Sequence, residues 1–407
     1  MITIDRARKI ILNSINELKE TELVFLKEAY KRVISETLIC REDLPAYNNS
    51  AMDGFAVRCS DFKDFYKKAY IELKIVATIQ AGQSSLYFRR IRIGETVRIM
   101  TGAMLPPGAD AVVMKEYTEV SGDRVKIKYK PKRGENIRLK GEDIRKGQKI
   151  IEKGEVLDAP FIGLLACCGI DKVRVKKRPK IAIISTGDEV VPVSIFPLPN
   201  FCVRNSNSYS ISSLVISSLG SAFDFGIVKD DIKQLNRVLK RLTDFDGIIT
   251  TGGVSIGDYD FVKDAFNKAG IKVLFSGVNM KPGKPFTFGV LDNRIPVFGL
   301  PGNQASCMVS FEIFVRPAMK KMLGIKDVLP KVIFSRLGFD FKTTRDRVNL
   351  LRVRLSWDNN IPQAYQTGAQ GSGRIKSMVS AHGFAVIPEG DSIFKKGDIV
   401  ETILIEK

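Results

Sequence analysis

The chain has 407 residues, 44% of them hydrophobic and 27% charged, which is enough for several soluble domains. No apolar run approaches the roughly 20 residues that span a bilayer, and Met1–Ser14 lacks the pattern of a secretory signal, so a cytoplasmic protein without membrane contact is expected. The formal charge of +19 favours polyanionic or phosphorylated partners. Acids are interspersed with the bases, as in KRGENIRLKGEDIRKGQK, so nucleic acid is not the expected one.

In chain order, residues 3 to 19 form an N-terminal helix. Residues 51 to 140 then read as short strands (IELKIVATI, ETVRIM, DAVVMKEYTEV, RVKIKYK) broken by the turn signals PPG and SGD. A second helix starts near Pro160. These pieces predict a helical stalk, residues 1–50 with 141–178, carrying an inserted β domain at 51–140. The loops around Asp53, Thr101, Arg138 and Asp143 are dense in Gly, Asp, Asn and Thr, and read as turns.

Residues 179–328 alternate strand and helix: PKIAIIS, SYSISSLVISSLG with Gly220 as its stop, SAFDFGIV, DIKQLNRVLKRL, DGIIT, a glycine loop, IKVLF, a hairpin FTFGV–IPVFGL, and the closing helix QASCMVSFEIFVRPAMKKML. That alternation predicts a three-layer α/β domain with a mostly parallel sheet, whose ligands bind beyond the carboxyl ends of the strands. Residues 329–407 read as a small β-barrel or sandwich. The whole is a multidomain chain of α/β and β parts.

Three strand ends of the α/β domain carry acids: Glu189 in ISTGDEVV, Asp230 in VKDD, and Asp258 and Asp260 in TTGGVSIGDYD. Capping explains some of them, notably Asp231. Acids drawn together at one edge repel unless a cation shares them, which implies a hard metal such as Mg²⁺. Gly252, Gly253, Ser255 and Gly257 form a loop open to close backbone approach by a ligand. Lys281 and Lys284 in MKPGKP supply cations, and Pro301, Gly302 and Asn303 open the closing helix, whose free N–H groups suit an anion. His382 is the only histidine, so imidazole triads and multi-histidine metal sites are excluded. The six cysteines show no metal-ligand spacing and read as reduced thiols.

Eight motifs in order, NNSAMDGFAVR, MTGAMLPPGADAVV, GENIRLKGEDI, RPKIAIISTGDEVV, TTGGVSIGDYDFVKDA, MKPGKPFTFG, LPGN and SAHGFAVIPEG, span nearly the whole chain. Through them it resembles the MoeA family of molybdenum cofactor biosynthesis, to which the gephyrin E domain also belongs. The resemblance implies a homodimer that inserts molybdate or tungstate into adenylylated molybdopterin and releases AMP with Mg²⁺. It also implies a cleft between one chain's α/β domain and the other chain's N-terminal domains, with possible transient contact to the preceding adenylyltransferase. By matching motifs it assigns Asp53, Thr101, Arg138, Asp143, Glu189, Asp230, Asp260 and Lys281 to that cleft. Glu189, Asp230 and Asp260 are the metal candidates, and the glycine loop with Asp258, Lys284 and Pro301–Asn303 holds the cofactor. Two departures are Gln304, where the family has proline, and His382, where asparagine is common. The alternatives are a molybdopterin adenylyltransferase and a non-catalytic carrier or scaffold.

Overall fold

A computed structural model describes residues 1–83, 89–229, 231–252, 266–343, 346–357, 360–390 and 392–406. Its centre is a six-stranded mixed sheet in the order Ser221–Val228, Lys180–Thr186, Gly247–Thr251, Ile295–Leu300, Thr287–Leu291, Ile271–Ser276. The first four strands run parallel, while Thr287–Leu291 is antiparallel to both of its neighbours. The hairpin turn between the Thr287 and Ile295 strands holds Asp292 and Asn293 at φ 51°, the left-handed pair that a tight hairpin needs.

Both faces of this sheet are covered, which is why its strands read as continuous apolar runs. Ile181 and Ile183 face one core, shared with Ile211, Val215, Phe311, Phe314 and Met319. Ala182 and Ile184 face the other, with Leu235, Leu239, Ile248 and Phe266. The helix Asn207–Ser217 ends as expected, but the left-handed residue is Leu219 (φ 65°) rather than Gly220. Gly220 packs closely: a Cβ on it would lie 2.4 Å from the Met319 Cε, a flexible methyl that can move, and 3.3 Å from the Pro179 carbonyl oxygen.

The closing helix runs as Gln304–Ser310 and Arg316–Met322 joined by a π-type turn, Phe311–Val315. The wider turn lies just ahead of Pro317, which brings no N–H to the helix ladder. Buried in it, Arg316 donates to Glu312 through Nε (2.6 Å) and Nη2 (2.8 Å). Glu312→Ala strands that guanidinium in the core, and urea denaturation should show a loss of about 3–5 kcal/mol.

The expected helical stalk is not evident. The N-terminal helix is shorter, Ile4–Ser14, and its buried face of Ala7 and Ile11, continued by Ile15, joins the α/β core instead. Arg8 Nε donates to the Ile313 carbonyl, and Ile2 bridges to Val278. An apolar stripe packs on the largest apolar surface within reach, and here that surface belongs to the sheet rather than to the chain neighbours of the helix. Beyond the helix this part of the chain is mainly paired strands: Thr21–Phe25 with Lys172–Lys176, Leu38–Ile39 with Lys149–Ile151, and Asn49–Ser50 with Ile137–Arg138. The helix Ala159–Cys167, capped by Asp158, packs beside them.

Residues 54–127 carry a second six-stranded sheet, in the order Ala111–Met114, Gly54–Val57, Glu95–Ile99, Ile71–Ile79, Arg124–Ile127, Thr118–Ser121. Gly54–Val57, read from sequence as part of a turn, is a buried inner strand. Gly54 is required by contact: a Cβ there would sit 1.9 Å from the Val113 carbonyl oxygen. Gly54→Ala should therefore destabilise this sheet by ~3 kcal/mol or more, measured by denaturant titration.

At the C-terminal end, Val332–Leu337, Gln363–Gln366, Val348–Ser356, Gly383–Ile387 and Ile399–Leu404 close on themselves as a five-stranded barrel. The expected small barrel is thus present. Met280–Lys281 adds a parallel rung to its Val348 strand, tying the barrel to the α/β unit.

Candidate active site

In chain order the parallel sheet reverses between its first strand, Lys180–Thr186, and its third, Gly247–Thr251. At such a reversal the connections leave in opposite directions and open a crevice at the strand ends. A cleft of about 300 Å³ lies there, lined by Ser185, Thr186, Glu189, Thr251, Gly252 and Pro285, by the turn Pro301–Gln304, and by the segment Val203–Asn207.

Its floor is a hydrogen-bonded hydroxyl network. Thr251 Oγ1 donates to Ser185 Oγ (3.3 Å), which donates to Asn205 Oδ1 (2.9 Å). Ser208 N donates to the same oxygen (3.3 Å). Asn205 is buried at 7% exposure, so the network is fixed before any ligand arrives. Asn207 Nδ2 donates to the Gly302 carbonyl (2.7 Å), which pins the turn opening the long helix. Gln304, the first residue of that helix, is also part of the lining. Gly252, at φ 94°, lies so close to the first strand that a Cβ would meet the Thr186 oxygen at 2.2 Å.

Glu189 is the one carboxylate among the described residues lining the cleft, and Arg204 the one cation. Lys281 and Lys284 are not in that lining. Lys281 is exposed on its short strand, Lys284 is half-buried, and Pro285 from the same loop reaches the cleft. Asp230, Gly253, Ser255, Gly257, Asp258 and Asp260 lie outside the described residues. Asp231 is a helix cap, accepting from Lys233 N at 2.8 Å.

The other assigned residues gather elsewhere. Asp53 Oδ1 accepts from both the Thr101 N–H and the Thr101 hydroxyl, each at 2.8 Å, with Lys115 Nζ 3.8 Å from its other oxygen. The Thr101 backbone bond, then its hydroxyl, hold the Asp53 carboxyl below the usual range, so it stays ionised. Arg138, paired in register with Asn49, lines a second cleft with Asp143, Pro45, Asn49 and Glu142. Neither Arg138 nor Asp143 has a side-chain ion pair among the described residues, so both are free to meet a ligand. The two clefts share no residue.

Residues that sequence reading passed over are Arg204, Asn205 and Asn207. They follow the stretch PVSIFPLPNFCV, which has neither helical nor strand periodicity, and it is the pairing of Val203–Arg204 with Val190–Val191, just past the first strand, that brings them to the cleft. Their one signal is the polar run RNSNS between apolar segments.

The α/β unit is of the molybdopterin-binding class: residues 182–321 match the family model described as a probable molybdopterin binding domain. The flanks match the MoeA N-terminal region (domain I and II) over residues 2–169 and the MoeA C-terminal region (domain IV) over 335–405. Molybdopterin molybdenumtransferase of Staphylococcus epidermidis is 33% identical over 406 residues, covering 100% of this chain and 96% of that protein. The Staphylococcus aureus enzyme of the same name is 35% identical over 387 residues, 94% and 91% of the two chains. The crystal structure of the molybdopterin biosynthesis MoeA protein from Pyrococcus horikoshii superposes with a TM-score of 0.85 at 28% identity, covering both chains completely. The chain belongs to the MoeA family.

Proposed function

We propose that this MoeA-family transferase acts in molybdenum cofactor biosynthesis by inserting molybdate or tungstate into adenylylated molybdopterin with release of AMP. We further propose that it works as a homodimer, the α/β cleft of one protomer facing the Asp53 and Arg138 region of the other. The observation that carries this reading is that Glu189 lines one cleft while Arg138 and Asp143 line another, with no lining residue in common. Each cleft has open polar groups, and on this reading the two complete one another across the dimer.

Substrate and oxyanion are both negative, so their approach is repulsive until cations offset it. Arg138 and Arg204 supply fixed positive charge from the two sides, joined by Lys281 and Lys284 from the loop that ends at Pro285. The Ser185–Thr251–Asn205 network presents oriented hydroxyl and amide groups to the substrate without reorganisation. Gly252 allows close approach of the ligand to the backbone. Asp53, kept ionised by Thr101, orients a donor group of the substrate.

Among the described residues no three potential metal ligands cluster, and Glu189 alone of the acids lines the α/β cleft. One carboxylate suits Mg²⁺ that arrives with substrate phosphates, since Mg²⁺ keeps water and takes few protein ligands. Glu189 would hold it, with Asp230 and Asp260 as further candidates from sequence. When bound, the ion would polarise the phosphoanhydride.

The test is AMP release from adenylylated molybdopterin by the purified chain, with molybdate or tungstate added in turn. Multiple turnovers that need the oxyanion are expected. Stoichiometric binding without AMP would indicate a carrier, and consumption of ATP without oxyanion an adenylyltransferase.

A further inference from the structure

Six cysteines are scattered through the sequence, yet two of them meet in space. Cys40 and Cys168, 128 positions apart, bring their Sγ atoms to 3.2 Å. Both are buried, at 1% and 6% exposure, in a small apolar cluster with Ile144, flanked by Leu44, Leu164 and Ile170. Cys40 Sγ also lies 3.1 Å from the Glu42 carbonyl, so its thiol is held in place on two sides. Cys168 caps the helix Ala159–Cys167, and its neighbour Cys167 is exposed.

From this geometry we infer that Cys40 and Cys168 form a site of intramolecular disulfide formation that cross-links the Cys40–Pro45 segment to the end of the Ala159–Cys167 helix. The sulfurs need to close by only about 1.2 Å to reach the S–S bond length of about 2.0 Å. With a small-molecule disulfide as oxidant, one protein thiolate attacks it and releases one thiolate. The second protein thiolate then attacks the mixed disulfide and releases the other. The two protein thiols lose two protons and two electrons in all, and the oxidant is reduced to two thiols.

Burial, the hydrogen bond with Cys40 and its other neighbours push the Cys168 thiol up to about 12. Its thiolate is therefore scarce at neutral pH, and the reaction is slow. A slow, buried, long-range bond acts as a lock rather than a fast sensor. The locked segment matters because it runs straight into Leu44, which bridges to Ile144, and into Pro45, which lines the cleft of Arg138 and Asp143.

The experiment treats the full chain with oxidised glutathione, alkylates the remaining thiols, and maps the peptides by mass. A linked peptide joining Cys40 to Cys168 is expected, with two of the six thiols lost and the first thermal transition raised by several degrees. Cys167→Ser should leave both changes intact, while Cys40→Ser and Cys168→Ser should each remove them. The inference is overturned if Cys40 and Cys168 remain fully alkylatable after prolonged oxidation. It is equally overturned if only glutathione adducts at Cys167 or Cys202 appear, or if Cys40 links to Cys167 instead. Mapping of the unsubstituted chain decides the matter even if a serine variant fails to fold.

Discussion

Glu189→Gln should lower oxyanion-dependent AMP release on the order of 100- to 1,000-fold while leaving the fold unchanged. The substitution is nearly isosteric and removes one negative charge from an exposed position at the mouth of the α/β cleft. The position is exposed and its carboxylate makes no ion pair among the described residues, so the thermal transition should stay where it is. The loss falls on catalysis because Glu189 is the sole described acid in the lining able to hold a cation beside substrate phosphates. Raising Mg²⁺ should recover part of the rate, since a weakened site fills at higher ion concentration. The check is steady-state AMP release across a Mg²⁺ titration, beside equilibrium binding of adenylylated molybdopterin. A variant with unaltered turnover would remove Glu189 from the chemistry.

Gly252→Ala should have an effect of similar size by a different route. Residue 252 sits at φ 94°, a conformation that L side chains rarely adopt, and its Cβ would lie 2.2 Å from the Thr186 backbone oxygen. Neither atom belongs to a flexible side chain that can swing aside. The end of the third strand must separate from the first, which also strains the Thr251–Ser185–Asn205 network. Substrate binding should fall together with turnover, and stability should drop by ~1–3 kcal/mol. Isothermal titration with the substrate and urea denaturation measure the two effects separately. The contrast with Glu189→Gln, which affects turnover but not folding, distinguishes a chemical role from a scaffolding one.

The α/β sheet was legible in the sequence because a sheet covered on both faces must be written in unbroken apolar runs, as KIAIIS and GIIT are. The hairpin at Asp292–Asn293 was legible because two left-handed residues leave few choices of side chain. Gly54–Val57 was hidden: four residues are too few for periodicity, and the flanking Asn, Asp and Gly speak the language of turns. The N-terminal helix was seen, but its place was not, because an apolar stripe declares that it will be buried without declaring against what. The same limit applies to Cys40 and Cys168, which no spacing rule connects.

The site was legible unevenly. Acids and glycines at strand ends identified the edge of the sheet where the cleft lies, because the rule that ligands bind there is topological. Asp53 and Thr101 are 48 residues apart, and Arg138 belongs to a two-residue strand, so no local pattern singles them out; family resemblance alone named them. Lys281 and Lys284 were expected beside the acids, yet from that loop only Pro285 reaches the α/β cleft. Among the described residues, the cations that line the two clefts are Arg138 and Arg204.

If the working cleft is assembled from two chains, mixing two inactive variants reveals it most directly. Glu189→Gln damages the α/β side, and Asp53→Asn damages the other. Co-expressed and purified together, they form mixed dimers in which one cleft carries both lesions and the other carries neither. Random pairing then predicts recovery of about a quarter of the unsubstituted activity. A mixture as inactive as either variant alone, with subunit exchange verified by mass, would contradict the account and place both groups in one chain's site.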